Sequence, residues 1–523
     1  QKLQLRSSLQ LGSFGYIKAS QVASVSSKNA KVRLSRIDQS SEGYRDQESN
    51  HKEQTTLSID LKASNRLLYF IWATDYKGSW DLPGAINAED AAEDPSQARV
   101  YAIENNTRVE RNRQYAGVRQ RWTTRHLTNN TAFYFTKTKK VNPYGTSPFF
   151  NGYKNEAGEG FGGRTRFTGN IKKWSNSSLS GIVGAEFQID DNQLNEFELL
   201  DGLPEEVKFS NSTNSAQSTA FSGLRYQNKT NLVVEAGIGW TETIYTNTGI
   251  NYSLTGDSAN LRARLPYRAL LPRLGISKKL FGETYAYINL NKGTSAPSVF
   301  EVVNPYNGRF SPNLLAENAQ NVEIGIKGYS STYHLQGELT VYSMTLSNPI
   351  LENAESEGPL YFNLNELRLQ RGIEAWLQRN FPLNKDGFMQ ELVVQANATF
   401  NDYKYASDSL KVPGTPFATG QIQLILEMTH GLSVVFADRW SDGMYLNSAG
   451  TVTSAAYHLA QAEIRYTQKF ASEKLQLEMQ FGARNLWNSS YSSFFSIDGV
   501  FGRYYNPAPP RSFFGGLTLS YSF

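Results

Sequence analysis

RSFFGGLTLSYSF, residues 511–523, is the stretch on which the fold turns. Phe513, Leu517, Leu519, Tyr521 and Phe523 share one parity, and Ser512, Thr518, Ser520 and Ser522 share the other. A period of two sets the first group on one face of a β-strand and the second on the opposite face. Chain ends ordinarily fray. Here the alternation runs to the final aromatic residue, which predicts a terminal strand paired into a sheet along its whole length.

The same alternation recurs upstream, in VRLSRI (32–37), TLSIDLKA (56–63), LVVEAGIGW (232–240), NVEIGIKG (321–328) and LQLEMQFGARNLW (475–487). Short polar connections such as SSKN (26–29), ASN (63–65), QNKTN (227–231), FGE (281–283) and HG (430–431) alternate with long ones. The long ones cover roughly 77–113, 141–160, 191–214, 242–266, 294–318, 346–365, 442–456 and 488–510. Counting each pair of strands with its long loop as one hairpin predicts about 22 antiparallel strands. Long loops on one side and short turns on the other fit a closed transmembrane β-barrel, with short periplasmic turns and long extracellular loops. Closure also removes the two edges that an open sheet of this size would expose.

Composition agrees with an all-β chain. The 523 residues hold 29 Phe, 29 Tyr, 8 Trp and 41 Gly, which favour strands and turns over helices. Mean hydropathy is −0.47, and no run approaches the ~18 apolar residues of a membrane helix, a test that a barrel escapes because half of each strand faces a polar lumen. No cysteine is present, so disulfides, thiol catalysis and cysteine-ligated metal are excluded. A net charge of +4 is small for this length and gives no reason to expect nucleic acid as a partner. The opening QKLQLRSSLQ has no signal-peptide pattern, so the sequence reads as cytoplasmic, a mature product or a fragment.

Several stretches together resemble TonB-dependent outer-membrane receptors. GTSAPSVFEVVNPYNGRFSPNLLAENAQNVEIGIKG (293–328), RGIEAWLQ (371–378), RNLWNSSY (484–491) and the closing RYYNPAPPRSFFGGLTLSYSF are similar to successive signatures of that barrel. SEGYRDQESNHKE (41–53) and DYKGSWDLPGAINAEDAAEDPSQAR (75–99) resemble early strands and loops of the ferric-siderophore branch, ferric citrate receptors in particular. The resemblance implies that residues 1–523 are the barrel of an outer-membrane receptor of a Gram-negative bacterium. Its function would be TonB-energised import of a ferric chelate, a siderophore or ferric citrate, with no catalysis and no cofactor. In the family a plug domain fills the lumen and carries the segment gripped by the TonB complex. No plug-like stretch is found in residues 1–523, so the expected partners are outer-membrane lipid, a plug lost or carried elsewhere, TonB through that plug, and the ferric chelate.

An anionic chelate calls for arginines, which present directed donors, and for aromatic side chains. The candidates are Trp80, Arg108, Arg111, Arg113, Arg119, Arg121, Arg262, Arg264, Tyr306 and Arg309, with Arg99 and Arg268 nearby. In VRQRW (118–122), an outward Val118 and Trp122 would turn Arg119 and Arg121 into the lumen. Val322, Ile324, Ile326, Leu475, Leu477, Met479, Leu517 and Leu519 are expected to face lipid. The opposite parity leaves Glu323, Lys327 and Glu374 in the lumen, where they read as a docking surface for a plug. His51, His126 and His430 are expected in loops or turns, and none of the five histidines shows a metal-ligand spacing. Two other functions compete: a passive channel that needs no plug, and an outer-membrane protease or lipase. The second lacks any nucleophile with an adjacent base.

Overall fold

The computed structural model describes residues 2–147, 150–251, 259–303, 311–352, 361–407, 411–470 and 474–523. Twenty-two strands form one antiparallel sheet, each paired with its neighbours in sequence. Strand Lys2–Gly12 then pairs with strand Ser512–Ser522, with Leu5 opposite Tyr521 and Leu9 opposite Leu517. The Phe523 amide donates to the Leu3 carbonyl at 2.9 Å. The last residue is thus bonded into the ring, as the alternation of 511–523 requires. Every strand finds two partners, and no edge is left.

Side-chain register separates two surfaces. Ile276, Ile288, Ile324, Val341, Ile373 and Phe400 follow one another as direct register partners across six strands. Ile324 keeps 55% of its surface exposed. Such a belt, apolar and unburied, is the outer face of a membrane barrel. The neighbouring row on the other parity runs Tyr287, Gly325, Thr340, Glu374, Thr399 and is polar. All eight residues expected to face lipid lie on the outer parity; at the seam, Leu9, Leu517, Met479 and Tyr466 continue the belt. On the inner parity Arg6 reaches Glu478 at 2.9 Å, bridging the closing strand. Both side chains are well hydrated, so the pair contributes at most about 1 kcal/mol. The backbone bonds that close the ring stabilise it more.

Turns at one end are tight. His430 (φ 60°) and Gly431 (φ 73°) both take the left-handed region, and a Cβ at Gly431 would run into the Thr467 carbonyl. Connections at the opposite end differ from expectation. Residues 141–147, 150–160, 191–200, 203–214, 242–251 and 259–266 are strand and not loop, while 148–149 and 252–258 lie outside the described residues. Strands Phe150–Lys173, Ser177–Leu200 and Leu203–Asn228 run for 24, 24 and 26 residues. A membrane crossing takes about 9–11 residues, so these hairpins rise well above the apolar belt. The tip between the second pair is Asp201-Gly202, both at positive φ (48° and 77°), which is the chemistry of a tight hairpin turn. His51 is likewise corrected: it lies in strand Asn50–Ser64, not in a loop.

The remaining connections interlock. Asp46 donates to Ser96, Ile86 and Tyr505 exchange two backbone bonds, Asp498 donates to Leu446, and Gly414 donates to Tyr445. Loops 42–49, 82–107, 485–511 and 442–456 and segment 411–417 thereby form one hydrogen-bonded arc around the mouth. Leu446, at its centre, is fully buried. Segment 296–303 instead folds inward. Its one-turn helix Val299–Val302 is closed by a Ser298/Glu301 capping box, and Val302 and Val303 pack on Tyr245, Leu265 and Tyr267 of the lumen wall.

Candidate ligand-binding vestibule

Strand Arg108–Thr123 carries Arg111, Arg113, Arg119 and Arg121 on one parity. Val118, on the other, pairs with Ile71 and Phe133 of the outer belt. All four arginines therefore face the lumen, and the expectation for Arg119 and Arg121 holds. From Arg111 to Arg121 the row spans roughly 33 Å at ~3.3 Å per residue, from the mouth to the periplasmic end.

Each arginine but the lowest lies against an aromatic ring. Arg111 stands 5.8 Å from the Trp80 ring, Arg113 5.7 Å from Tyr115 and Arg119 5.3 Å from Phe70. Stacking holds a guanidinium flat while leaving its N–H edge available. The Nε of Arg111 is buried without a hydrogen-bond partner. Trp80 and Arg111, at the top of adjacent strands, form the clearest ligand-ready pair among the sequence candidates.

Beside them, loop 82–107 meets loop 485–511. Burial, and then the charge of Arg503, lower the Arg99 guanidinium to about 10. Arg503 has no local signal in the sequence. It arrives through the Ile86–Tyr505 contact between loops some four hundred residues apart.

Other candidates fall away from this wall. Arg108 has the opposite parity and bonds Glu110 at 2.7 Å. Arg264 and Arg268 share the parity of Leu270, Leu274 and Ile276 on strand Ala259–Lys279, so both look outward, and Arg268 is paired with Glu242 at 2.5 Å. The side chain of Arg262, and Tyr306 and Arg309 entirely, lie outside the described residues. The histidine expectation also changes in part. Asp38, His51 and Glu53 come within 4.8 Å of one another, but Arg36 sits 3.8 Å from Asp38 and 3.2 Å from Glu53 and engages both carboxylates.

Lower in the lumen, Glu323 accepts from the Asn289 amide at 3.3 Å, and Lys327 stands 5.3 Å from the Tyr287 ring. With Arg225, Glu235 and Glu338 they line a cavity of about 500 Å³ in the wall. Glu374 sits two strands away, opposite Thr340 and Thr399.

The family model described as "TonB dependent receptor-like, beta-barrel" matches residues 48–486. The chain belongs to the TonB-dependent receptor family. Solved receptors share its fold. The ferric citrate transporter FecA in its unliganded form superposes with a TM-score of 0.82 at 14% identity, covering 100% of this chain and 78% of that one. The siderophore receptor PiuA from Acinetobacter baumannii gives 0.79 at 14% identity, covering 100% and 82%. The ferric-catecholate import receptor Fiu from E. coli K12, in its closed form, gives 0.76 at 14% identity, again covering 100% and 82%. TonB-dependent receptors are outer-membrane transport proteins.

Proposed function

We propose that this receptor imports an anionic ferric chelate, a siderophore or ferric citrate, across the outer membrane of a Gram-negative bacterium, with energy delivered by TonB through a plug seated in the lumen. The observation that carries the reading is the lumen-facing arginine row under Trp80. Capture occurs at the mouth, at Trp80 and Arg111, with Arg503 adding positive charge from the loops above. Descent follows Arg113, Arg119 and Arg121, each offering a charge-assisted bond to the same kind of group. Glu323, Lys327 and Glu374 serve the plug: a cavity bearing both signs suits a protein surface better than a small anion. The resemblance of 41–53 and 75–99 to the ferric citrate branch agrees with this division.

Binding of ferric citrate and of anionic ferric siderophores to the plug-containing receptor tests the proposal. Replacing Arg111 or Arg503 by Ala weakens the cognate chelate about tenfold each, the loss of one charge-assisted bond. Trp80→Ala weakens it less, since it removes the platform and not the charge. Raising salt from about 50 to about 500 mM weakens the wild type more than either arginine variant. A receptor that binds no anionic chelate, or whose Arg111→Ala and Arg503→Ala variants bind it unchanged, removes the proposal and leaves a passive channel.

A further inference from the structure

Two large grooves cut the apolar outer face toward the tight-turn end, and they differ in charge. In the first, Leu127, Gly169, Gly181, Leu224 and Ala236 are successive register partners on the outer parity. Phe167 and Val183 stand one row nearer the belt, and the groove between the rows holds about 750 Å³. The second groove is larger, about 1010 Å³, and ends on turns 281–284 and 330–335. In those turns the titratable groups are Glu283, bonded to Lys279 at 2.6 Å, Tyr333 and His334.

The foot of the first groove is cationic. Backbone bonds stitch its turns together: the Asn170 amide donates to the His126 carbonyl at 3.2 Å, Lys229 to Asn176 at 2.9 Å and Lys279 to Asn231 at 3.2 Å. Along this foot stand Arg125, Lys172, Lys229 and Lys278. A register shift between Asn170 and Lys172 sets Lys172 opposite Leu179, on the parity of Val183, so its ammonium is turned outward. It lies 5.4 Å from the Trp174 ring, and an exposed tryptophan at the edge of an apolar belt marks the level of lipid headgroups. Lys278, on the parity of Leu274 and Ile276, donates to the carbonyl and hydroxyl of Thr230 at 2.8 and 2.9 Å, neither of which neutralises it. Among the described residues none of the four makes an ion pair, and stretches 123–128, 169–179, 226–232 and 274–282 contain no Asp or Glu. Glu235, on the adjoining strand, has the lumen parity and is paired with Arg225 at 2.5 Å.

We infer that the first groove holds an anionic phospholipid of the periplasmic leaflet, its acyl chain between Phe167 and Leu224 and its phosphate against Lys172 and Lys229. The inference rests on the outer-membrane placement proposed above, and not on the chelate. Charge selects the occupant. Apolar volume admits a lipid tail in either groove, but four cations without a carboxylate at headgroup level favour a lipid with net negative charge over a zwitterionic one.

Titration of the detergent-solubilised chain, read by native mass spectrometry, tests this. The probes are phosphatidylglycerol and phosphatidylethanolamine with identical acyl chains. The expected result is that the first binds about tenfold more tightly than the second. Lys172→Glu combined with Lys229→Glu abolishes that difference. Ala236→Phe fills the exposed groove floor, leaves every cation in place, and weakens phosphatidylglycerol about tenfold. Lys385→Glu, a charge reversal in an exposed turn of the same rim that does not line the groove, leaves binding unchanged. Heat-modifiable mobility in gels confirms that each variant is a closed barrel. Equal affinity for the two lipids overturns the inference, and so does a lysine double variant that keeps the preference. Wild-type binding by Ala236→Phe also overturns it, since the rim would then attract the lipid by charge alone. Chelate binding by the plug-containing lysine double variant stays at the wild-type level, so this result and the Arg111→Ala result stand or fall separately.

Discussion

Residues 1–523 alone, inserted in planar bilayers, conduct ions through a wide, ohmic pore, and cells expressing only this stretch gain no energy-dependent chelate uptake. Barrels of this strand number enclose a lumen that is ordinarily plugged. The described wall is lined with Arg113, Arg119, Arg121, Lys327 and Glu374, side chains that water solvates readily. Nothing in the wall needs a plug in order to fold, because backbone closure and the apolar outer belt supply the stability. Segment 299–303 packs Val302 and Val303 against Tyr245 on one part of the lumen wall. Addition of a plug domain from a related receptor lowers the conductance, and Lys327→Glu combined with Glu374→Lys reduces that block. TonB-dependent growth on limiting chelate by residues 1–523 alone would show that the barrel does by itself what is assigned here to the plug.

Leu517→Arg prevents assembly, while Thr518→Arg, one residue away, is accepted. Leu517 lies at the middle of strand Ser512–Ser522, on the outer parity between Leu9 and Met479. A lipid-facing arginine at mid-depth costs roughly 2–4 kcal/mol. That falls on the strand which closes the ring. Thr518 faces the lumen directly opposite Glu478, so a new guanidinium there gains water and a carboxylate. Ser520 is the less informative choice on the same face, since it pairs with Arg6 and a second cation would be repelled. The readout is the folded, heat-modifiable fraction in outer-membrane extracts. Equal folded fractions for Leu517→Arg and Thr518→Arg would invert the sidedness of the closing strand.

Residues 511–523 could be read directly because their two faces meet opposite solvents, lipid and water, so parity is written in apolar and polar letters. Above the membrane both faces meet water. Strand Leu203–Asn228 is therefore polar on either parity along 210–215, and its upper half passes for a loop. The Asp201-Gly202 tip was the available clue, since a two-residue turn of that kind demands paired strands on both sides. Arg264 and Arg268 were also decidable in principle: Leu270, Leu274 and Ile276 fix their parity, and parity alone turns them out of the lumen. The same rule placed Arg119 and Arg121 correctly. Arg503 was beyond reach. Its partnership with Arg99 depends on how two distant loops settle on a closed ring, and no local pattern encodes that.

The bond between Phe523 and Leu3 carries a cost in time. Gln4 and Ser522, partners at the seam, are 518 positions apart. Pairing over such a separation rewards the chain only after nearly every other strand is in place, so it comes late and slowly. Until then the sheet has two sticky margins, each able to recruit another chain. The lifetime of that open intermediate, more than the strength of the finished ring, governs how much of this receptor reaches the membrane intact.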